Sequence, residues 1–249
     1  MKLDIETRRK LRDMGAKDLL EAFDGQDDSL CIGMTTAERI QIAVDEAYSA
    51  YISQKINGLT RRAHLRFPDA DVRKLDCIQE RKLDRLAIAE LASCGWAERG
   101  ENIVFQGFTG SGKTYLACAL AKEACKRLMR SYYIRVPNLE QEWLAAKERP
   151  GADARLIQKY GGFQVLVLDE WLFDKPDAKF RSMLFELMEV RYGAKSTVFC
   201  TQYRQKDWHA RLGGGAHADA IMDRIVHNAV WIDSGEVNMR AKLGKGNGE

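Results

Sequence analysis

The sequence predicts an α/β domain built on a five-stranded parallel sheet, preceded by a small all-helical N-terminal domain. Three observations carry that reading. From Ile88 onward, short apolar runs alternate with segments long enough for crossover helices. The first of those runs passes directly into a glycine-rich segment, Gly107 to Thr114, that opens a helix. Before Phe67, apolar residues recur at helical rather than strand spacing.

At 249 residues the chain has room for one α/β domain of ordinary size and a module of a few helices. A composition 45% hydrophobic and 30% charged, with 4 prolines and no low-complexity tract, is that of a folded chain. No stretch approaches the ~18 apolar residues of a membrane span, and Met1-Lys2-Leu3-Asp4 opens into charged residues, so a cytoplasmic location is expected. The six cysteines form no Cys-x-x-Cys pair and no zinc spacing, which leaves reduced, mostly buried thiols.

Thr7 to Phe23 predicts one short helix, with Leu11, Met14, Leu19 and Phe23 on one side, and the run from Gly25 to Ser29 breaks it. Thr35 with Glu38 three residues on forms a capping-box signature for a long second helix. Its apolar stripe runs through Ile40, Val44, Tyr48, Ile52, Ile56 and Leu59. Phe67-Pro68-Asp69-Ala70 reads as a turn. The expected organisation is a helical domain over 1–66, a basic linker over 67–87, the α/β domain over 88–243 and a flexible tail over 244–249. Between Lys55 and Arg85, nine cations face five anions, an excess of four that suits either a solvated linker or a nucleic-acid partner; the overall charge of +3 decides neither.

In the α/β domain, Ile88 to Arg99 predicts a helix. The expected strands are Asn102 to Gln106, Tyr132 to Val136, Gln164 to Asp169, Ser196 to Thr201 and Ala229 to Asp233. The segment Gly107-Phe108-Thr109-Gly110-Ser111-Gly112-Lys113-Thr114 fits the phosphate-loop spacing G-x-x-x-x-G-K-[ST] between a strand and a helix running from Tyr115 to Arg127. Glycines let the backbone wrap phosphates, so that amide hydrogens and the positive helix end face the anion. The candidate ATP-binding set is Gly107, Thr109, Gly110, Ser111, Gly112, Lys113, Thr114 and Tyr115, with Lys113 reaching the β and γ phosphates and Thr114 offering an oxygen to Mg²⁺. Val165-Leu166-Val167-Leu168 ends in Asp169-Glu170, the Walker B pattern: Asp169 is the expected Mg²⁺ ligand and Glu170 the group that polarises the attacking water. Gln202, just past a strand, has an amide suited to the γ phosphate and that water.

With these pieces placed, the chain resembles the IstB family, ATP-dependent helper proteins of IstA/IstB-type insertion sequences related to the helicase loader DnaC. The resemblance spans Thr7 to Arg240. It rests on the run from Gly112 to Leu120, on Asp207-Trp208-His209, and on Ala218-Asp219-Ala220-Ile221-Met222-Asp223-Arg224-Ile225-Val226-His227-Asn228. It implies an AAA+ ATPase domain of the initiator and loader type that works as a homo-oligomer. Arg224 matches the family's arginine finger, Gln202 the sensor-1 position, and Arg240 resembles the sensor-2 arginine. The family usually has Gly-Glu-Ser-Met-Arg at that last site and a proline soon after sensor 1; here Val237-Asn238 and Arg204 intervene.

The class often carries a helix after the second strand that faces the inner channel. Asn138 to Lys147 is the candidate, with Trp143, Lys147, Arg149 and Arg130 as DNA contacts or, for Trp143, a core residue. The function so implied is an ATPase that needs Mg²⁺, is stimulated by oligomerisation on duplex DNA, binds that DNA largely without regard to sequence, and assists an IstA-like transposase. A DnaC-like replicative helicase loader is the alternative. A small-molecule kinase leaves Asp169-Glu170, Arg224 and the N-terminal helices without a reason.

Overall fold

The computed structural model describes residues 3–75, 83–235 and 237–239. It divides into two compact units, residues 1–58 and 59–249.

The first unit holds α1 (Ile5–Asp13), α2 (Lys17–Gly25) and most of α3 (Thr36–Arg62). The single helix expected over Thr7 to Phe23 is in fact two. Gly15 adopts a left-handed backbone, φ 73°. Its amide and that of Ala16 return to the carbonyls of Arg12 and Leu11, closing α1 as glycine C-caps do. The capping box forms as expected: Thr35 N donates to Glu38 Oε2 at 2.7 Å, and Glu38 N to Thr35 Oγ1 at 3.3 Å. The buried core of this unit is Ala22, Phe23 and Ala43, with Leu19 and Ala47 against it. Ile40, Val44 and Tyr48, the first half of the predicted stripe, are exposed instead. Within this unit α3 buries its alanine side, since small residues admit the Phe23 ring closely.

In the second unit, α4 (Arg85–Ala92) and α5 (Gly95–Glu98) stand where one helix was expected. Cys94 separates them with a left-handed backbone, φ 62°. Then follow β1 (Asn102–Gln106), α6 (Lys113–Lys126), β2 (Ser131–Arg135), α7 (Val136–Lys147), α8 (Ala152–Gly161), β3 (Val165–Asp169), α9 (Ala178–Arg191), β4 (Ser196–Thr201), α10 (Gln205–Arg211), α11 (Gly215–Val226) and β5 (Ala229–Asp233). All ladders are parallel, in the order β2-β3-β4-β1-β5.

Alternate residues of the strands face opposite layers. Ile103, Phe105, Val165 and Val167 are buried under α6, α4 and α5. Val104, Leu166, Leu168 and Phe199 are buried under α7 to α11. Coverage on both sides is why β1, β3 and β4 read as continuous apolar runs. The second unit also takes in chain that the sequence assigned to the helical domain and linker: Leu59, Ala63, Leu65, Ala70 and Leu83 are buried in the layer with α6. Among the described residues, no helix is long and apolar enough to cross a membrane.

Candidate functional site

The carboxyl ends of β1, β3 and β4 deliver the phosphate-loop segment, Asp169-Glu170 and Gln202 to one edge of the sheet, where open α/β sheets bind ligands. After β1 the backbone turns through Gly107 (φ 154°), Gly110 (92°) and Gly112 (90°), values that residues with a β-carbon rarely adopt. Space is equally restrictive. A β-carbon on Gly107 would stand 2.2 Å from Ser234 Oγ, and one on Gly110 2.7 Å from Asn238 Oδ1. Ser111 is fully buried, its hydroxyl 2.6 Å from that of Ser234, which donates to the Gln106 carbonyl at 2.9 Å. Lys113 Nζ donates to the carbonyls of Gly107 (2.7 Å) and Phe108 (2.8 Å), so its charge already lies along the loop. Gly112 precedes α6 without a side-chain cap, and the first-turn amides of that helix are the donors an anion would meet.

Behind the loop, Thr114 Oγ1 donates to Asp169 Oδ2 at 3.0 Å. Asp169 is buried and accepts at the same oxygen from the Tyr133 hydroxyl, 2.7 Å away; its other oxygen takes the Glu170 amide at 3.0 Å. Burial, then the Asp169 charge, pushes the Tyr133 phenol well above its ordinary range, so it stays a donor. Arg66 Nη1 stands 4.0 Å from Asp169 Oδ2. Thr114 and Asp169 thus present a pair of oxygens, the donor type that Mg²⁺ prefers and that would hold it here. No cluster of three or more His, Cys, Asp or Glu suited to a metal occurs among the described residues. These residues fit Mg²⁺ bound with a phosphate ligand rather than held by protein alone.

Glu170 has φ 60°, a left-handed conformation that costs about 1–3 kcal/mol outside glycine and persists only where its surroundings fix it. Its carboxylate accepts from Arg135 Nη2 at 2.7 Å. That contact raises the Arg135 pKa further. At β4, Gln202 Oε1 accepts from the Thr109 hydroxyl at 3.2 Å, and Gln202 Nε2 donates to the Tyr203 hydroxyl at 3.3 Å.

The structure therefore brings Thr109, Thr114, Asp169 and Gln202 to the loop, with Glu170 beside Asp169. Tyr115 turns elsewhere: its hydroxyl accepts from the Asp71 amide at 3.1 Å and its ring lies 6.0 Å from that of Phe67. Arg224, on α11, donates to the Glu189 carboxylate and to the Ala220 carbonyl and covers the Phe185 ring at 4.7 Å, contacts that do not include the phosphate loop. Arg240 lies outside the described residues. Of the DNA-contact candidates, Trp143 is buried in the core against Phe180, the core alternative the sequence offered for it; Lys147 covers its ring at 3.9 Å, and Arg149 and Arg130 are exposed.

Sequence reasoning missed Tyr133, Arg135, Arg66 and Ser234. The signal for Arg135 was present, because it closes β2 as Asp169 closes β3, but it becomes informative only once β2 and β3 are known to be neighbours.

Residues 10–245 match the family model described as IstB-like ATP binding protein. An insertion sequence ATP-binding protein of Sinorhizobium fredii, y4pL, is 35% identical over 236 residues, which is 92% of this chain and 94% of the relative. The ATP-binding protein of insertion sequence IS1162 from Pseudomonas fluorescens is 32% identical, over 66% of this chain and 71% of its own length. Among solved structures, the DnaC helicase loader superposes with a TM-score of 0.56 at 23% identity, covering 68% of this chain and 98% of that one. AMPPCP-bound DnaA from Aquifex aeolicus gives 0.57 at 16% identity, over 74% of this chain and 55% of its own. Both likenesses are of fold: the α/β half shares the fold of these two proteins.

Proposed function

This chain belongs to the IstB-like ATP binding protein family, and from that premise we propose that it is an Mg²⁺-dependent ATPase that assembles on duplex DNA and prepares target DNA for a partner transposase. ATP binding and the AAA+ fold come with the family. The observation that carries the catalytic reading is the Thr114–Asp169 contact of 3.0 Å beside the glycine-built loop, with Glu170 next in sequence.

In this reading the loop amides and Lys113 bind the phosphates, Lys113 exchanging its carbonyl partners for phosphate oxygens. Bound at Thr114 and Asp169, Mg²⁺ would supply neutralisation of phosphate charge. Glu170, freed from Arg135, polarises the attacking water, and Gln202 orients it against the γ phosphate. Arg224 and Arg240 are assigned as the residues that answer to the γ phosphate from a neighbouring subunit and from the same chain respectively. That assignment for Arg224 agrees with its lying apart from its own phosphate loop. ATP then gates assembly, because the interface completes the site. DNA binding through scattered cations is largely independent of sequence and weakens steeply with salt. The insertion sequence relatives support the transposition context, and with it a cytoplasmic location.

Sedimentation of the protein with duplex DNA, with and without ATP, beside Glu170→Gln tests this. ATP-dependent growth into large DNA-bound oligomers, stabilised by the variant, is the expected result. Assembly only with a helicase or on single strands would instead make the protein a helicase loader.

A further inference from the structure

Glu170 begins a turn that its own sequence does not favour. Glu170 and Leu172 both have left-handed backbones, φ 60° and 58°, although neither is glycine. The inner side of the turn is fixed by Trp171, fully buried against Phe199 and Trp208, with its amide donating to the Cys200 carbonyl at 2.9 Å. The outer side is held by one residue of another helix. Arg211 of α10 donates from Nε to the Leu172 carbonyl at 2.6 Å and from Nη2 to the Phe173 carbonyl at 2.5 Å. The same guanidinium lies 3.7 Å from the centre of the Tyr203 ring. Tyr203 in turn accepts from Gln202 Nε2 at 3.3 Å, and Gln202 accepts from Thr109 of the phosphate loop at 3.2 Å.

We propose that Arg211 is a positioning residue for ATP hydrolysis, joining the turn that presents Glu170 to the Gln202 amide through the Tyr203 ring. The proposal rests on the ATPase reading above and deepens it. A guanidinium suits this place and an ammonium does not: its planar fork bonds two successive carbonyls while its face stacks on an aromatic ring. Two bonds, to the carbonyls of left-handed Leu172 and of the residue after it, supply the external restraint such a conformation needs. The groups assigned to the water, Glu170 and Gln202, follow separate strands, β3 and β4, and Arg211 links both. Loss of the link misplaces them relative to each other. Nucleotide binding, which the phosphate loop provides, is untouched.

The test is steady-state ATP hydrolysis by full-length protein with Mg²⁺ and duplex DNA, for Arg211→Gln, Arg211→Lys and Tyr203→Leu, alongside binding of a fluorescent ATP analogue and thermal melting. Arg211→Gln is expected to lower kcat roughly ten- to a hundredfold, the size of effect an ångström of misplacement produces, with KM, analogue affinity and melting temperature held. Arg211→Lys should fail to restore the rate. Tyr203→Leu should lower kcat in the same direction, and the double variant Arg211→Gln/Tyr203→Leu should be no slower than Arg211→Gln alone, as for residues acting through one connection. An unchanged kcat in Arg211→Gln overturns the proposal and leaves the ATPase reading standing. A fall in kcat matched by lost analogue affinity and a lower melting temperature makes Arg211 merely structural, which also overturns it. A wild-type protein that binds the analogue but never turns over ATP removes the hydrolysis reading and this proposal together.

Discussion

The two faces of the sheet draw on the same strands but are filled differently. Under α6 the helix contributes mostly small residues: Ala117, Ala121, Ala124, Cys118 and Cys125, interspersed with Leu116 and Leu120, meet Ile103, Phe105, Val167, Val198 and Cys200 of the strands. Under α7 to α11 they are large, with Trp171 4.8 Å from Phe199 and 5.9 Å from Trp208, and Trp208 5.2 Å from Trp231. Small residues let a helix approach a sheet closely, and that approach brings Thr114, in the first turn of α6, within 3.0 Å of Asp169. Large rings fix the turn after Glu170 by filling the space beneath it. The buried thiols belong to the first pattern as fillers: burial pushes Cys118 up to about 11, far from a reactive thiolate. The Thr114–Asp169 pair, proposed to hold the metal, is thus set by closeness, and the turn that carries Glu170, proposed to act on the water, by bulk.

The faces should therefore fail in opposite ways. Trp208→Ala is the sharpest test, because it empties a fully buried site touched by three other rings and bonded through Nε1 to the Tyr203 carbonyl at 3.2 Å. A loss of about 3–5 kcal/mol in urea unfolding is expected. A loss under about 1 kcal/mol would mean that the aromatic face is loosely filled and that bulk is not what fixes the turn. Ala117→Leu should cost less, about 1–3 kcal/mol, since overpacking is relieved by shifting the helix. That shift should nevertheless separate Thr114 from Asp169, so ATP affinity in Mg²⁺ should fall more in Ala117→Leu than in Trp208→Ala. The reverse order would break the comparison.

What was legible in the sequence follows from the same contrast. β1 and β4 have the expected bounds and β3 begins one residue from its own, because strands buried on both faces read as apolar runs wherever their neighbours lie; of the less buried edge strands, β5 has its expected bounds and β2 lies one residue earlier than expected. The phosphate loop and Asp169-Glu170 were legible because their chemistry demands particular residues at fixed spacing. Helix breaks at Gly15 and Cys94 were missed: each is a single left-handed residue inside a helical pattern, and for Cys94 the residue type gives no warning. The α3 stripe was read from its largest apolar residues, yet within the first unit the buried side is Ala43, because periodicity identifies an apolar face without saying what covers it. Tyr133, Arg135 and Ser234 act across strands or loops far apart in sequence, so their roles depend on the strand order β2-β3-β4-β1-β5.

The smallest effect concerns the chain before α4, expected as linker yet held in the small-residue layer through Ala70. Beyond that packing, polar contacts hold this segment: the Asp71 amide donates to the Tyr115 hydroxyl at 3.1 Å and Lys122 Nζ to the Pro68 carbonyl at 2.7 Å. Asp71 itself accepts from Arg73 Nη2 at 2.6 Å and from the Arg73 amide at 2.8 Å. The guanidinium, then that amide, holds the Asp71 carboxyl far below its ordinary 3.8. A depressed carboxylate stabilises the fold fully above its unfolded value and loses that contribution as pH falls through its folded one. Arg73 is well exposed, which keeps the contribution modest. Asp71→Asn should unfold in less urea than wild type near neutral pH, and the gap should narrow once pH drops below 3.8, where the wild-type carboxylate begins to lose its advantage. A gap that stays constant from about pH 7 to about pH 3 would mean the Asp71 charge contributes nothing. The segment would then be held as α6 is, by close packing of small side chains, and the rule for that face would extend to the residues leading into the domain.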